Sequence, residues 1–362
     1  MEQRTASALR VLIAGGGTGG HVIPALAIAR ELRDRHGAEV RFVGTARGLE
    51  TSLVPEAGFE LTLVRSGQLK NVGLATRLRT AVDLPLGVAE CVRLLGAFKP
   101  RVVVGVGGYA SGPGMLAAIL KRVPTLAYEP NAVPGMTNRW LGRWVNAAAV
   151  NFEQTAKYFR NAEVTGVPVR AEIFALPPRP AGAPPRLLVT AGSNGALIFN
   201  ETMPKIAAEL LETVPELTIV HQAGARALDA TRAAFAASGA DPARWRVEAF
   251  LEDMPAQYGA ADLVLARSGS TVAELCAAGR ASLLVPFAAA ADDHQRKNAE
   301  VLANAGAAVL LLQRDVTPAT LLEALRGLLG DPERRAAMAE RARSLARPGA
   351  LERIAAMVVK LA

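Results

Sequence analysis

VLIAGGGTGGHVIPAL, residues 11–26, is the stretch of the chain that decides the fold. Its apolar run, VLIA, leads directly into glycines and then into a helix-patterned segment, which predicts a strand, a turn and a helix. The glycines allow a ligand to approach backbone N–H groups at the helix N-terminus, where the helix dipole favours negative charge. This order of elements is typical of the first βα unit of a doubly wound domain.

The same alternation continues along the chain. Short runs rich in valine, isoleucine and leucine alternate with longer helix-patterned segments, which predicts βαβ units. The predicted strands are VLIAG, VRFVG, LTLVR, RVVVGV, PTLAY, AAAVNF, RLLVTAG, LTIVHQAG, WRVEAF, DLVLAR and ASLLVPF. Strands this uniformly apolar are expected in parallel sheets that helices cover on both faces. A length of 362 residues then predicts two doubly wound α/β domains.

A proline-rich stretch separates the two halves. LPPRPAGAPPR, residues 176–186, disfavours a regular helix or a central strand and predicts an extended linker or surface loop. We therefore expect a domain boundary at this stretch or shortly before it. ALERIAAMVVKLA, residues 350–362, has the pattern of an amphipathic helix whose apolar face must pack against another part of the chain.

Charge and cysteine content narrow the classes of function. Lysine and arginine number 41 against 33 acidic residues, and the net charge of +8 suggests an anionic partner such as a phosphate ligand, acidic lipid or nucleic acid. No stretch interleaves basic and aromatic residues as a surface for single strands would, so nucleic acid is disfavoured. Cys91 and Cys276 lie far apart, which argues against a disulfide framework or a zinc site and favours the reducing cytoplasm.

Candidate site residues in the first half follow the glycine-rich turn. Gly15, Gly17 and Gly20 match GxGxxG, but no acidic residue closes the second strand, VRFVG, as a dinucleotide-binding domain requires. His21 follows the turn directly. It is a candidate base or hydrogen-bond donor, and the alternative is a helix-start histidine bonded to backbone.

A second glycine cluster, VGVGGYASGPG at residues 104–114, also follows an apolar strand. Its small residues either allow close approach of a ligand or a facing loop, or simply form a tight turn. AYEPN then places Glu129 and Asn131 just past a buried strand, at the edge where α/β active sites collect. Both are therefore candidate site residues.

The second half contains similar turns. In TAGSNGA, Ser193 can donate its hydroxyl to a phosphate oxygen or cap the following helix, and the two roles are compatible. LARSGSTVAEL places Ser270 and Thr271 before a helix that carries Glu274. That carboxylate either only interacts favourably with the helix dipole or accepts hydrogen bonds from two ribose hydroxyls.

Several enzyme classes are disfavoured by missing motifs. Asp292, Asp293, His294 and Gln295 form one compact group, but without further spaced ligands this is poor metal coordination, and the chain has no D-x-D motif. It also lacks GxSxG and GxxxxGK[ST], which argues against a serine hydrolase and against an ATPase or kinase.

The order of the motifs resembles that in the MurG family of cell-wall glycosyltransferases along nearly the whole chain. The motifs are GGGTGGHVIPAL, GGYASGPG, EPNAVPGMTN, TGVPVR, GSNGA, RSGSTVAEL and DDHQRKNA. The resemblance implies a GT-B fold, in which two Rossmann-like domains face across a cleft. It implies inverting transfer of N-acetylglucosamine from UDP-N-acetylglucosamine to the 4-hydroxyl of the muramoyl sugar of lipid I, which yields lipid II. The implied domains are an acceptor domain over 1–168, completed by a terminal helix over 348–362, and a donor domain over 169–347.

The resemblance also assigns roles to residues. His21 and Glu129 are the implied candidates for deprotonating the acceptor hydroxyl. The implied substrate-binding residues are Thr18, Gly19 and Gly20 beside the donor, Asn131 at its sugar, Arg170 and Ser193 at the diphosphate, the main chain of Leu251 at uracil, Ser270, Thr271, Val272 and Ala273 in the donor loop, Glu274 at the ribose and Gln295 at the sugar. The chain departs from the family's usual residues at Pro130, Val167, Ala191 and Asn194, and its donor loop is one residue shorter.

The implied mechanism requires no cofactor or metal, because Arg170, backbone amides and a helix N-terminus can stabilise the departing UDP.

A lipid-linked acceptor would explain the positive net charge of the chain, because such an acceptor lies in a membrane with an anionic surface. Residues 70–99 mix basic and apolar side chains in a manner suited to peripheral docking on an anionic membrane, at the cytoplasmic face of the bacterial plasma membrane. An ordinary helix pair covering the sheet explains the apolar residues equally well. The uncharged stretch Val102–Leu120 is interrupted by glycines and predicts no membrane span.

Three other classes of function stay open on the sequence. A nicotinamide oxidoreductase would share the doubly wound fold, although the missing acidic residue counts against it. A UDP-N-acetylglucosamine epimerase or another UDP-sugar-dependent GT-B enzyme would share both fold and donor. A non-catalytic lipid-binding module would bind vesicles without releasing UDP.

Overall fold

A computed structural model of the chain describes residues 9–67, 74–180 and 182–362, with the backbone alone over residues 74–79. The chain divides into two compact units. The first comprises Met1–Pro168 and Gly349–Ala362, and the second comprises Val169–Pro348. The proline-rich stretch at 176–186 therefore belongs to the second unit, and the boundary lies shortly before it.

The first unit, over its described residues, is a seven-stranded parallel sheet with helices on both faces. Its strands are β1 (Arg10–Gly15), β2 (Glu39–Gly44), β3 (Glu60–Leu63), β4 (Val102–Gly107), β5 (Thr125–Glu129), β6 (Ala147–Val150) and β7 (Ala162–Val164). Its helices are α1 (Gly19–His36), α2 (Glu50–Glu56), α3 (Leu74–Phe98), α4 (Ser111–Leu120), α5 (Met136–Leu141) and the terminal α14 (Ala350–Leu361), with a 3-10 turn at Glu153–Tyr158.

The strand order of this sheet is β3-β2-β1-β4-β5-β6-β7. Side chains of β1 alternate between two cores: Val11 and Ile13 pack with α1, α2 and α14, whereas Leu12 and Ala14 pack with α3 and α4. Because neither face meets water, the strand is apolar throughout. The order reverses between β1 and β4, and ligands of open α/β sheets bind beyond the carboxyl ends of the strands at such a point.

The terminal helix packs within the first unit. Ile354 and Val358 are fully buried in the core that contains α1, and the Arg353 guanidinium donates to the Thr165 carbonyl. The helix begins at Ala350, after Gly349 adopts a left-handed conformation with φ of 72°. Ala350 is the residue at which the amphipathic pattern begins, whereas the bound of 348 that the resemblance implied falls in the second unit, which includes Pro348.

The second unit is a six-stranded parallel sheet in the described part of the chain, in the order β10-β9-β8-β11-β12-β13. Its strands are β8 (Arg186–Thr190), β9 (Thr218–Gln222), β10 (Trp245–Glu248), β11 (Leu263–Ala266), β12 (Ala281–Leu284) and β13 (Ala308–Leu310). Its helices are α6 (Ala171–Phe174), α7 (Leu197–Thr213), α8 (Leu228–Ala236), α9 (Met254–Ala260), α10 (Thr271–Ala278), α11 (His294–Asn304), α12 (Pro318–Leu329) and α13 (Pro332–Ser344). The order reverses between β8 and β11. The predicted fold class, two doubly wound α/β domains, is confirmed.

A buried arginine joins separate segments of the second unit. Arg280 is 3% exposed, and its Nε donates to the Tyr258 carbonyl at 2.7 Å. Its Nη2 donates to the carbonyls of Pro177, at 2.9 Å, and Gly259, at 3.2 Å, and its Nη1 to that of Gly279, at 3.2 Å. Burial lowers the pKa of Arg280 to about 10, so the guanidinium remains charged at neutral pH. It holds the proline-rich stretch against α9 and the end of α10.

Within the segment at 70–99, Leu74–Phe98 forms one long helix, α3, with Pro85 inside it. A single helix therefore stands where a helix pair was the alternative, and its buried apolar residues cover the sheet as that alternative expected. Lys70 lies outside the described residues, as do the side chains of Leu74, Arg77, Leu78 and Arg79. In the remainder of the helix Cys91, Leu95 and Phe98 are buried, whereas Val82 and Leu86 are exposed. Among the described helices, none has the length and hydropathy of a membrane span.

Candidate active site

The two glycine-rich turns of the first unit lie against each other at the switch point. The Gly16 amide donates to the Gly107 carbonyl at 3.2 Å. A Cβ on Gly108, which has a φ of 81°, would lie 2.0 Å from the Gly16 carbonyl oxygen. The second turn is therefore the facing loop that its small residues suggested, because only glycine allows this approach.

His21 lies in the first turn of α1, beside this contact. Its Nδ1 is 3.4 Å from the Thr18 hydroxyl oxygen, and its ring packs over Gly107, where an added Cβ would lie 2.9 Å from Nε2. Thr18 is exposed, and Gly19, Gly20 and His21 are partly exposed. These residues are accessible beyond the carboxyl end of β1, where a ligand of this fold binds.

Part of the first glycine turn is already occupied by a side chain. The Gly17 amide donates to Glu50 Oε2 at 2.6 Å, so this N–H group is not available for the phosphate contact that the sequence suggested. Glu50 is 1% exposed. The sequence does not predict this contact, because a glutamate at a helix start carries no signal of a partner 33 residues away.

Glu129 lies at the end of β5 and has its carboxylate surrounded by donors. Oε1 accepts from the backbone amide and the side-chain amide of Asn131, both at 3.0 Å. Oε2 accepts from the Gly135 amide and the Asn138 side chain, also at 3.0 Å. Burial to 3% exposure raises the pKa of Glu129, and these donors partly offset that effect. The carboxylate thus organises the loop of Asn131. His21 and Glu129 follow different strands, β1 and β5.

In the second unit, Ser193 is exposed in the turn after β8. Gly192 and Gly195, with φ of 74° and 67°, extend this turn, and α7 begins only at Leu197 with Ala196 as its N-cap. The expectation that Ser193 caps the helix is therefore wrong. Ser193 follows the carboxyl end of β8, beside the switch point, where an anionic ligand of this fold would bind.

Gln222, which sequence analysis also missed, connects the Ser193 turn to the loop of Leu251. Its Nε2 donates to the Gly192 carbonyl at 2.6 Å, and its Oε1 accepts from the Leu251 amide at 3.1 Å. Gln222 is 3% exposed. The Leu251 amide is therefore engaged within the protein, and the side chain of Leu251 is itself buried.

Glu274 lies one turn into α10 with an orienting partner. The Tyr258 hydroxyl donates to Glu274 Oε2 at 2.8 Å. Burial raises the pKa of Glu274, while the Tyr258 hydrogen bond and the charge of Arg170 lower it in part. Arg170, at the start of α6, is exposed. The structure therefore brings Arg170, Tyr258 and Glu274 together, with one carboxylate oxygen oriented by the protein.

The predicted donor loop and Gln295 are also brought together. The Ser268 hydroxyl donates to the Gln295 carbonyl at 2.8 Å, and Gln295 Oε1 accepts from the Phe287 amide at 3.0 Å. Gln295 Nε2 lies 3.8 Å from the position of a Cβ on Gly269. Ser270 is exposed, Thr271 and Ala273 are partly exposed, and the Val272 side chain is buried, so Val272 can meet a ligand only through its backbone.

The other histidines and acidic residues have local roles. His221 is fully buried, its Nε2 bonds to Asn200 Oδ1 at 2.9 Å, and burial lowers its pKa to about 3. His294 Nδ1 bonds to the Ala291 carbonyl at 2.7 Å, and Asp293 pairs with Arg296. Over the described residues, no three histidine, cysteine or acidic side chains are grouped as metal ligands would be.

Comparison with known proteins identifies the family. Residues 11–150 match the glycosyltransferase family 28 N-terminal domain, and residues 186–354 match the glycosyltransferase family 28 C-terminal domain. The chain is 44% identical over 359 residues to a UDP-N-acetylglucosamine–N-acetylmuramyl-(pentapeptide) pyrophosphoryl-undecaprenol N-acetylglucosamine transferase of Anaeromyxobacter sp. (strain K), with 98% of this chain and 93% of that protein covered.

Solved structures agree with this assignment. The crystal structure of Acinetobacter baumannii MurG is 34% identical in sequence, with a TM-score of 0.84 over 97% of this chain and 99% of that chain. A UDP-GlcNAc 2-epimerase from Neisseria meningitidis, bound to UDP-GlcNAc, has a TM-score of 0.65 over 97% of this chain and 100% of that chain. Its 16% identity makes the likeness one of fold alone. The chain belongs to glycosyltransferase family 28 and, within it, to the MurG family.

Proposed function

We propose that this protein transfers N-acetylglucosamine from UDP-N-acetylglucosamine to the 4-hydroxyl of the muramoyl sugar of lipid I, with inversion, and so forms lipid II for peptidoglycan. The observation that carries the proposal is the full-length match to a transferase of that name at 44% identity. The arrangement of Arg170, Ser193, Glu274 and Gln295 at the carboxyl edge of the second sheet supports it.

The second unit is proposed to bind the donor. Glu274, oriented by Tyr258, accepts hydrogen bonds from the ribose hydroxyls. Arg170 and Ser193 meet the diphosphate, and backbone groups near Leu251 meet uracil. Because the Leu251 amide bonds to Gln222, its carbonyl is the group that remains for the base. Ser270, Thr271, Val272 and Ala273 form the donor loop, and Gln295 contacts the sugar.

The first unit is proposed to bind the acceptor and to supply the base. As the 4-hydroxyl oxygen bonds to C1 of N-acetylglucosamine, the bond from C1 to the phosphate oxygen breaks and UDP leaves with the electron pair. The hydroxyl proton passes to His21. Thr18, Gly19 and Gly20 line this side of the reaction.

Glu129 is proposed to act as a positioning residue instead of the base. Its oxygens already accept from Asn131, Gly135 and Asn138. A base needs a lone pair within reach of the proton that it takes, and each bond already accepted competes for that lone pair. Glu129 therefore holds Asn131 where it contacts the donor sugar.

The reaction is proposed to need no metal or other cofactor. The negative charge that develops on UDP is stabilised by Arg170, by the Ser193 hydroxyl and by backbone amides of the Gly192 and Ser270 turns. Oriented donors of this kind act without reorganisation when the bond breaks.

We further propose peripheral binding to an anionic membrane through α3, at the cytoplasmic face of the plasma membrane. Val82 and Leu86 are exposed on this helix, and Arg93 is exposed near its end. Apolar and cationic side chains on one helix suit the interface of an acidic bilayer. Co-sedimentation with vesicles that contain phosphatidylglycerol, and not with phosphatidylcholine vesicles, is the expected result, and equal binding to both would contradict it.

The function is tested by UDP release from UDP-N-acetylglucosamine, with and without a short-chain lipid I analogue. We expect release that requires the analogue and continues in excess EDTA. Release without the analogue would indicate an epimerase or hydrolase, and loss of release with EDTA would contradict the metal-free mechanism.

Tyr258→Phe tests the role of Glu274. We expect the KM for UDP-N-acetylglucosamine to rise about 3- to 10-fold, because the charge-assisted bond to Glu274 is lost. That bond lowers the pKa of Glu274, so its loss raises the pKa further. The acid limb of kcat/KM for the donor then moves to higher pH, because the carboxylate protonates earlier as pH falls. Tyr158→Phe, in the first unit, is the control. An unmoved acid limb in a folded Tyr258→Phe protein would count against the ribose role of Glu274.

A further inference from the structure

Glu50 is a buried carboxylate to which the mechanism above gives no role. It is the first residue of α2 and is 1% exposed. Oε2 accepts from the Gly17 amide at 2.6 Å, and Oε1 accepts from the amide and the hydroxyl of Thr45, both at 3.0 Å. Burial raises the pKa of Glu50, but the bonds from Gly17, from Thr45 and from the backbone amide of Glu50 itself together outweigh this effect and lower it overall. The group is therefore an anion at neutral pH.

The backbone makes room for this carboxylate in separate turns. A Cβ on Gly16, Gly44 or Gly48 would lie 2.3, 2.7 or 1.8 Å from an atom of the Glu50 side chain. The Leu49 amide also donates to the Gly17 carbonyl at 3.0 Å. Glu50 thus joins the turn after β1 to the turn after β2 by contacts that leave little freedom for either.

The turn that Glu50 holds leads directly into the proposed acceptor side. Thr18 follows Gly17, and His21 lies in the first turn of α1, with its Nδ1 3.4 Å from the Thr18 hydroxyl oxygen. A change in the direction of the Gly17 peptide would move Thr18 and therefore the imidazole. Displacements of about 1 Å at a reacting group can lower a rate by about 100-fold.

We propose that Glu50 is a positioning residue for His21, acting through the Gly17 peptide and Thr18. This inference rests on the proposed function, in which His21 takes the acceptor proton. It also follows that the acceptor diphosphate is not bound by the Gly17 amide, because a carboxylate of the protein already occupies that donor.

Glu50→Gln is the most direct test. The side chain keeps its size, but one carboxamide end is a donor, so either Gly17 or Thr45 loses its acceptor and faces an N–H group. We expect kcat with the lipid I analogue to fall about 10- to 100-fold. The Kd for UDP-N-acetylglucosamine, measured by calorimetry, should change by less than about twofold, because the residues proposed to bind uracil, the ribose and the diphosphate lie in the second unit. Glu56→Gln, at the exposed end of the same helix, is the matched control and should leave kcat unchanged.

A double-mutant cycle separates positioning from a general loss of structure. If Glu50 acts through His21, Glu50→Gln should lower kcat by about the full 10- to 100-fold in the wild-type background. In the His21→Ala background, the same substitution should lower kcat by less than about twofold. An equal fold-loss in both backgrounds, a similar loss of donor affinity, or an unchanged kcat in the folded variant would each overturn the proposal. If Glu50→Gln does not fold, Thr45→Val removes one bond to the carboxylate, and a roughly 3- to 10-fold loss with the same dependence on His21 is expected.

A readout that is independent of turnover keeps the two proposals distinguishable. Amide hydrogen exchange over residues 15–22 should be at least about tenfold faster in Glu50→Gln, with exchange over β8 and β11 unchanged. If the wild-type protein shows no acceptor-dependent transfer, the proposed function is wrong. Faster exchange over residues 15–22 in Glu50→Gln would still support the inference that Glu50 fixes the turn that leads to His21. Unchanged exchange at residues 15–22 would overturn it whatever the activity.

Discussion

His21→Ala is expected to lower kcat for transfer to the lipid I analogue by about 10²- to 10⁴-fold, the range typical of a removed general base. The acceptor hydroxyl is a weak nucleophile while it keeps its proton, and alanine offers no group to take it. The Kd for UDP-N-acetylglucosamine should stay within about twofold, because the proposed contacts to uracil, the ribose and the diphosphate belong to the second unit. The effect then appears in the chemical step and not in donor binding.

His36→Ala provides the matched control. His36 is the last residue of the same helix, α1, and it is exposed. We expect its kcat to be unchanged, with both variants compared for folding by circular dichroism. A His21→Ala protein that keeps kcat within about threefold of wild type would remove His21 as the base. The residual rate should be similar for His21→Ala and His21→Asn, because neither asparagine nor alanine accepts a proton at neutral pH.

Arg280→Ala is expected to lower the free energy of unfolding of the second unit by about 3 kcal/mol. The guanidinium donates to carbonyls of Pro177, Tyr258, Gly259 and Gly279. Alanine removes the guanidinium bonds to these carbonyls in a site where Arg280 is 3% exposed, although the Tyr258 carbonyl keeps its bond from the Ala261 amide, and it leaves a cavity as well. For a domain of this size the loss corresponds to a fall of about 6–12 °C in the Tm of that unit.

Arg246→Ala is the comparison for this stability effect. Arg246 is exposed and lies 3.4 Å from Glu248 in a surface ion pair, which contributes less than about 1 kcal/mol. Scanning calorimetry of the two variants should therefore separate them clearly. Equal changes in Tm would mean that water satisfies the carbonyls when the guanidinium is removed, and the proposed role of Arg280 in holding residues 176–186 would be wrong.

Local patterns were sufficient to predict the fold class. Each apolar strand and the turn that follows it is a pattern of only a few neighbouring residues. The repetition of this pattern along the chain predicted both parallel sheets. Strands β7 and β13 were not predicted, because Ala162–Val164 and Ala308–Leu310 are too short to show a pattern. The amphipathic pattern over residues 350–362 predicted the start of α14, whereas the bound of 348 that the resemblance implied is two residues early, since Gly349 takes the left-handed conformation before the helix begins.

The candidate site could be predicted only where its residues follow strands. His21, Glu129, Ser193 and Glu274 were singled out as candidates because the end of a parallel strand marks the ligand edge. The roles of Glu50, Gln222 and Tyr258 arise from contacts between segments that are far apart in the chain. A single sequence does not reveal such contacts. The predicted cap at Ser193 was wrong for a related reason: the left-handed conformations of Gly192 and Gly195 delay the helix to Leu197.

The terminal helix α14 has a consequence for the order in which the protein acquires its structure during synthesis. Ile354, Ala355 and Val358 complete a core whose other buried members precede residue 150, yet the ribosome makes the whole of Val169–Pro348 before them. At about 5–20 residues per second, the nascent first unit waits roughly 10–40 s with one face of its sheet uncovered near α1. The second unit is continuous in the chain and can fold in that interval. The acceptor-side unit is thus begun first and finished last.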